Sequence, residues 1–259
     1  LFVINRLRDT PRSLGLPSIE KFKDDYPDQN KAESEKELTA KEILFKHVLK
    51  NKFIWILSIA YFFVYVIRIA INDWSTLYLV EVKNYTLLTA GACVFWFEIG
   101  GIFGSLTAGW ASDKIFRGRR GPVNILFCLG IIFALAAFWA SPVGAPVLDS
   151  ALMFVIGFLI FGPQMLIGMV PAELAGKKAA GAATGFVGLV AYIGAATAGY
   201  PLGKICQEFG WGGFFLSIGL CGILSVLFLL PLLRVGGTAQ KIEEEELEEV
   251  GETEPEPSD

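Results

Sequence analysis

Tyr61-Phe62-Phe63-Val64-Tyr65-Val66-Ile67-Arg68-Ile69-Ala70-Ile71-Asn72-Asp73-Trp74 is a long apolar run with one arginine near its middle. A charge at the centre of a bilayer costs about 2.5–3.5 kcal/mol on an insertion scale, so such residues are rare and usually functional. At 100° per residue, Tyr61, Tyr65, Arg68, Asn72 and Ser75 fall within about 80° of one another. The opposite side carries Ile56, Ile59, Phe63, Ala70, Trp74 and Leu77. A narrow polar stripe on a greasy helix predicts the wall of a water-filled pathway. The planar fork of an arginine binds a phosphate at two points, so Arg68 marks a candidate site for a phosphorylated anion.

Outward from this run the pattern repeats. More than half of the chain is apolar, and its charges gather at the two ends. Residues 121–148, 150–172, 179–203 and 209–233 contain no Asp, Glu, Lys or Arg, and each reaches the roughly 20 residues of a spanning helix. The expectation is an all-α membrane protein with six transmembrane helices, at about 53–80, 88–112, 122–141, 150–172, 179–203 and 210–233. Residues 5–52 are polar, with breakers at Asp9-Thr10-Pro11, Gly15-Leu16-Pro17 and Tyr26-Pro27-Asp28, and read as a solvated linker. Leu1-Phe2-Val3-Ile4 reads as the tail of a preceding span, so residues 1–52 are that tail plus a linker. The membrane domain is 53–235, and 236–259 is an acidic, disordered tail. Thr39-Ala40-Lys41-Glu42 matches a capping box. The segment after it, with Ile43, Leu44, Val48 and Leu49, either lies along the membrane surface or simply leads into the first span.

The four cysteines are isolated and His47 is the lone histidine, which argues against a disulfide framework or a metal site. No nucleophile–base pair or phosphate-binding glycine loop appears, so an enzyme is the least favoured class, with no cofactor and no metal. Nor does nucleic acid fit, because the basic Arg117-Gly118-Arg119-Arg120 sits between two spans.

In the second span, Gly91, Glu98, Gly101, Ser105 and Gly109 share a face. Such small stripes let helices approach closely, and Glu98 is predicted to face protein, for gating or as a fixed ion pair. The fourth span holds Gly162-Pro163, which weakens the backbone ladder where a helix lines a cavity; Gln164 follows directly. The fifth is rich in small residues, with Tyr192 as its bulkiest polar group, and the sixth reads as scaffold. Basic residues in the loop at 113–120, and Lys177 and Lys178, mark the cytoplasmic side. Linker and tail then both lie in the cytoplasm.

The loop Gly109-Trp110-Ala111-Ser112-Asp113-Lys114-Ile115-Phe116-Arg117-Gly118-Arg119-Arg120 resembles the recurring loop of the major facilitator superfamily. There an Asp–Arg network involving Asp113, Arg117, Arg119 and Arg120 would latch neighbouring helices while two halves rock. Arg12-Ser13-Leu14-Gly15-Leu16-Pro17, Val64-Tyr65-Val66-Ile67-Arg68, Asn72-Asp73-Trp74, Phe161-Gly162-Pro163-Gln164-Met165-Leu166-Ile167-Gly168 and Gly181-Ala182-Ala183-Thr184-Gly185-Phe186-Val187-Gly188 resemble the organophosphate:phosphate antiporters within it. That resemblance covers the chain to about residue 235 and implies the C-terminal half of a twelve-helix carrier, completed by an N-terminal six-helix half. It implies an inner-membrane exchanger of a phosphorylated sugar, glucose 6-phosphate first, for inorganic phosphate. Arg68 is then one of two phosphate-binding arginines, with Tyr65, Tyr192, Asn72 and Gln164 at the substrate and Asp73 and Glu98 at the interface between halves.

Asn72-Asp73-Trp74, Gln164 and Ala182-Ala183-Thr184-Gly185 resemble the hexose-phosphate branch, which includes a membrane sensor. The neutral Ala195-Ala196-Thr197-Ala198-Gly199 resembles the sensor type. The alternatives are thus a hexose-phosphate receptor acting with a partner kinase, or a glycerol-3-phosphate:phosphate antiporter.

Overall fold

The structure, a computed structural model, describes residues 15, 17, 40–175 and 179–234. Most of the linker, Lys177, Lys178 and the acidic tail lie outside the described residues. The chain divides into Leu1–Glu42 and Ile43–Asp259. In the first unit, Ala40–Glu42 forms one helical turn.

Every regular element among the described residues is helical. A π-helical segment, Ile43–Leu49, precedes α1 (Lys52–Glu81), which starts where Asn51 Oδ1 accepts the Phe53 amide. Helix α2 (Leu87–Trp110), capped by Thr86 on the Thr89 amide, runs on as a π-helical turn, Ala111–Ile115. Then come α3 (Arg120–Ala140), α4 (Pro146–Ala175), α5 (Ala180–Thr197) and α6 (Tyr200–Leu229), closed by a 3-10 turn, Leu230–Arg234. Large apolar side chains such as Phe95, Ile102, Leu126, Phe133 and Leu216 are exposed around the bundle. A water-facing surface rarely tolerates such a belt; hydrocarbon accepts it.

Among the described residues, five segments are long and apolar enough to cross a bilayer, the last being Ala180–Leu233 with 54 residues. At about 1.5 Å per residue that segment is about 80 Å long, more than twice a hydrocarbon core of about 30 Å. It is two passes. Gly210 interrupts α6 with φ 65° and ψ −170°, a conformation open to glycine because it lacks a Cβ. Before it, α5 climbs beside α1: Phe186 packs on Trp55, and Trp74 Nε1 donates to the Ala198 carbonyl at 2.9 Å. After it, the chain descends antiparallel to α3, from Gly212 beside Trp139 to the Leu232 carbonyl beside Gly121. A loop was predicted at 204–209; instead the helix runs to Phe209 and the break is concentrated at Gly210. With α1 to α4 this makes six passes.

The closest helix contact lies between α2 and α4, which run parallel. A Cβ on Gly104 would stand 1.9 Å from the Phe158 carbonyl oxygen, one on Gly100 2.0 Å from that of Phe154, and one on Gly157 1.9 Å from that of Phe97. Backbone lies against backbone, as small residues permit in lipid. The predicted stripe holds in part: Gly101, buried, lies against the Phe161 ring, where a Cβ would stand 2.6 Å from it. Gly91 meets open space and Gly109 only the tip of Met165, because the face turned to α4 is the one carrying Gly100 and Gly104. On α5 likewise, Gly194 abuts the Phe62 carbonyl, while Gly181 and Gly185 touch nothing. Gly104→Val should therefore cost at least the 1–3 kcal/mol of ordinary overpacking, roughly, since no rotamer change relieves a backbone clash. Gly91→Ala should be near neutral. Thermal unfolding of the full-length protein in detergent checks both, and similar midpoints for the two variants would refute the zipper.

Two polar clusters pin opposite ends of the bundle. At one end Arg120 makes a forked pair with Glu173, Nη2–Oε1 2.6 Å and Nε–Oε2 3.1 Å. This joins the start of α3 to the end of α4. The loop before it turns through Arg117 (φ 52°) and Gly118 (φ 78°). A latch through Asp113 was expected, but Asp113 is exposed, and the carboxylate on Arg120 comes from α4. At the other end Lys83 and Asp149 are 2% and 0% exposed. The Lys83 ammonium donates to the carbonyl and hydroxyl of Ser141. The Ser141 hydroxyl lies 2.6 Å from Asp149 Oδ1, and Tyr85 donates to Asp149 Oδ2 at 2.7 Å. Burial first, and the bond to Asp149 next, hold the Tyr85 phenol above its ordinary range, so it stays a donor throughout neutral pH.

Candidate anion-binding site

The polar stripe of α1 faces α4 and α5. Tyr61, 7% exposed, donates its hydroxyl to the Gln164 carbonyl at 2.8 Å. Its ring meets Tyr65 edge-on at 4.7 Å between centroids, and Tyr65 in turn meets Tyr192 of α5 at 5.6 Å. One turn further along α1, the Arg68 guanidinium lies over the Phe161 ring of α4, 4.9 Å from its centroid. These contacts follow from spacing. Tyr61, Tyr65 and Arg68 recur at helical period on α1, and Phe161 and Gln164 stand three residues apart on α4, on one face.

Arg68 is half-buried, and its Nε is sealed from solvent without a hydrogen-bond partner. Among the described residues no carboxylate pairs with it. Taking an unpaired cation part-way out of water is costly. The aromatic face beneath it returns about 0.5–2 kcal/mol and leaves the fork's own donors unused. An anion with two or three acceptor oxygens matches them. Gln164 presents the converse: its Oε1 is buried with no donor.

The other predicted residues divide. Tyr192 is 68% exposed, so it contacts the cluster at its open side. Asn72 is half-buried on the same stripe but spends an amide hydrogen on Asp73 Oδ1 at 2.8 Å. Asp73 is exposed, and so is Glu98 on α2. Glu98 was expected to face protein; within this chain it does not, because α4 packs on the Gly100 and Gly104 face instead. Asp113, Arg117, Arg119 and Arg120 stand at the end of the bundle, apart from the cluster.

Two things escaped sequence reading. Phe161 reads as one more apolar residue, although its position one turn before Gln164 was a usable signal. Lys83 and Asp149 read as ordinary loop charges, since nothing local pairs residues 66 positions apart.

A membrane-spanning helical bundle with a half-buried arginine in its polar stripe has the form of a membrane transport domain. The family model of the Major Facilitator Superfamily matches residues 20–199, and the chain belongs to that superfamily. It is 53% identical over 239 residues to a "Probable hexose phosphate transport protein" of Chlamydia muridarum, covering 88% of this chain and 52% of that protein. To the "Membrane sensor protein UhpC" of Escherichia coli it is 48% identical, covering 90% and 53%. To a "Glycerol-3-phosphate transporter" of Bacillus subtilis it is 42% identical, covering 93% and 54%. These relatives fall in the organophosphate:phosphate antiporter group that the motifs resemble. The chain spans about half the length of the curated relatives it matches.

Proposed function

We propose that this chain supplies the C-terminal half of a carrier exchanging a sugar phosphate, glucose 6-phosphate first, for inorganic phosphate across the inner membrane. The observation that carries this reading is Arg68: half-buried, without a carboxylate partner among the described residues, and seated on Phe161 at 4.9 Å. The names of the relatives support a sugar phosphate as cargo. An N-terminal six-helix half closes the cleft, and Asp73 and Glu98, exposed on this half, meet it. The basic end with Arg117, Arg119 and Arg120 faces the cytoplasm, as positive loops do, together with the linker and the tail.

No covalent chemistry is required, so the protein is not an enzyme. Phosphate on Arg68 stabilises a closed state relative to an open one, and the loaded carrier reopens on the other side. Tyr65, Tyr192, Asn72 and Gln164 line the path.

A membrane sensor of hexose phosphate is the second reading, favoured by the neutral Ala195–Gly199 stretch and the 48% identity to a sensor. Counterflow of labelled phosphate against a panel of sugar phosphates, in proteoliposomes of the full-length protein, separates the two. Exchange driven by glucose 6-phosphate is the expected result. Saturable binding without exchange would instead assign a sensor.

A further inference from the structure

The cluster on α1 and α4 holds two unused groups of opposite kind. Arg68 Nε is a donor without an acceptor, and Gln164 Oε1 an acceptor without a donor. A phosphomonoester whose second pKa is about 6 is a dianion at neutral pH, with acceptors alone on its phosphate. It satisfies the arginine and leaves the glutamine bare. The matching group is a hydroxyl on carbon, which donates to Oε1 and accepts from the amide hydrogens of the same side chain. Inorganic phosphate carries no such outlying hydroxyl.

The backbone that carries this side chain is held in place. The Gln164 backbone carbonyl takes the Tyr61 hydroxyl at 2.8 Å, and Gly168, one turn on, leaves only enough room for that hydroxyl: a Cβ there would stand 3.3 Å from it. Helix α4 is thus tied to α1 where Gln164 emerges, and Phe161 under Arg68 is on the same face, one turn away. Phe161 beneath the arginine and the backbone of Gln164 thus share one surface of α4.

We propose that Gln164 determines specificity by binding the hydroxylated carbon skeleton of an organic phosphate whose phosphate rests on Arg68. The inference depends on the anion-binding reading of Arg68. Calorimetric titration of the full-length protein with glucose 6-phosphate, n-butyl phosphate and inorganic phosphate tests it.

The unsubstituted protein should prefer glucose 6-phosphate over hydroxyl-free butyl phosphate by about tenfold or more, as sites built to bond a hydroxyl do. Gln164→Leu should erase that preference by weakening glucose 6-phosphate about tenfold, with inorganic phosphate within about twofold, which also reports an intact fold. Gln164→Asn, which keeps a shorter amide, should recover part of the preference. Unchanged glucose 6-phosphate binding in Gln164→Leu, or equal loss of all three ligands, overturns the proposal. Should that variant not fold, equal affinity of the unsubstituted protein for the sugar and butyl phosphates overturns it alone. A protein binding none of the three removes the Arg68 reading and this one with it.

Discussion

Arg68→Lys should weaken phosphate binding about tenfold to a hundredfold, the loss expected when charge-assisted, two-point hydrogen bonding falls to a single point charge. The substitution keeps the positive charge, so long-range attraction of an anion survives. What goes is the planar fork and its contact with the Phe161 ring. An ammonium also hydrates more strongly than a guanidinium, so seating it against the Phe161 ring carries a further penalty. Proteoliposomes of the full-length protein, loaded with phosphate and challenged with labelled phosphate, supply the measurement. Exchange within about twofold of the unsubstituted rate, at equal protein content, would remove Arg68 from the site. Arg68→Ala should abolish exchange, and retained thermal stability of that variant would show that the arginine serves binding rather than packing.

The second large effect concerns stability. Asp149→Ala should destabilise the bundle by about 3–5 kcal/mol, because it leaves the Lys83 ammonium buried with Ser141 and the face of Tyr78 but no counter-charge in the cluster. Lys83 and Asp149 are 2% and 0% exposed, so water does not take the lost partner's place. Tyr85 loses its acceptor at the same time. Replacing both charges, Lys83→Met with Asp149→Ala, should recover most of the loss, since an uncharged pair has nothing left to desolvate. Thermal unfolding of the full-length single and double variants closes the cycle. Additive losses would mean that Ser141 isolates the two charges rather than bridging them.

This cluster marks the boundary of what can be read along a chain. The six hydrophobic segments, the polar stripe on α1 and the candidate role of Arg68 were legible because each belongs to one segment. Hydropathy and a 3.6-residue period are local quantities. Partners are not. The glycines of α2 could be recognised as notches, and Gly101 does meet α4, yet only the rotation of that helix adds Gly100 and Gly104 and leaves out Gly91 and Gly109. The basic loop announced a latch, but its carboxylate is Glu173, 53 residues away on α4, rather than the nearer Asp113.

The same distinction runs through the site. From the sequence alone came an all-helical membrane domain, an arginine inside an apolar helix, and a glutamine after a Gly-Pro pair. These follow from the price of placing a charge or a bare backbone in hydrocarbon, which any segment bears by itself. Only the tertiary structure brings Phe161 beneath Arg68, ties Tyr61 to the Gln164 carbonyl and leaves Gln164 Oε1 with no donor. Those facts depend on how α1 and α4, nearly 100 residues apart, cross and turn against one another. That geometry is settled by the summed packing of the whole bundle, in which no single residue has a decisive share.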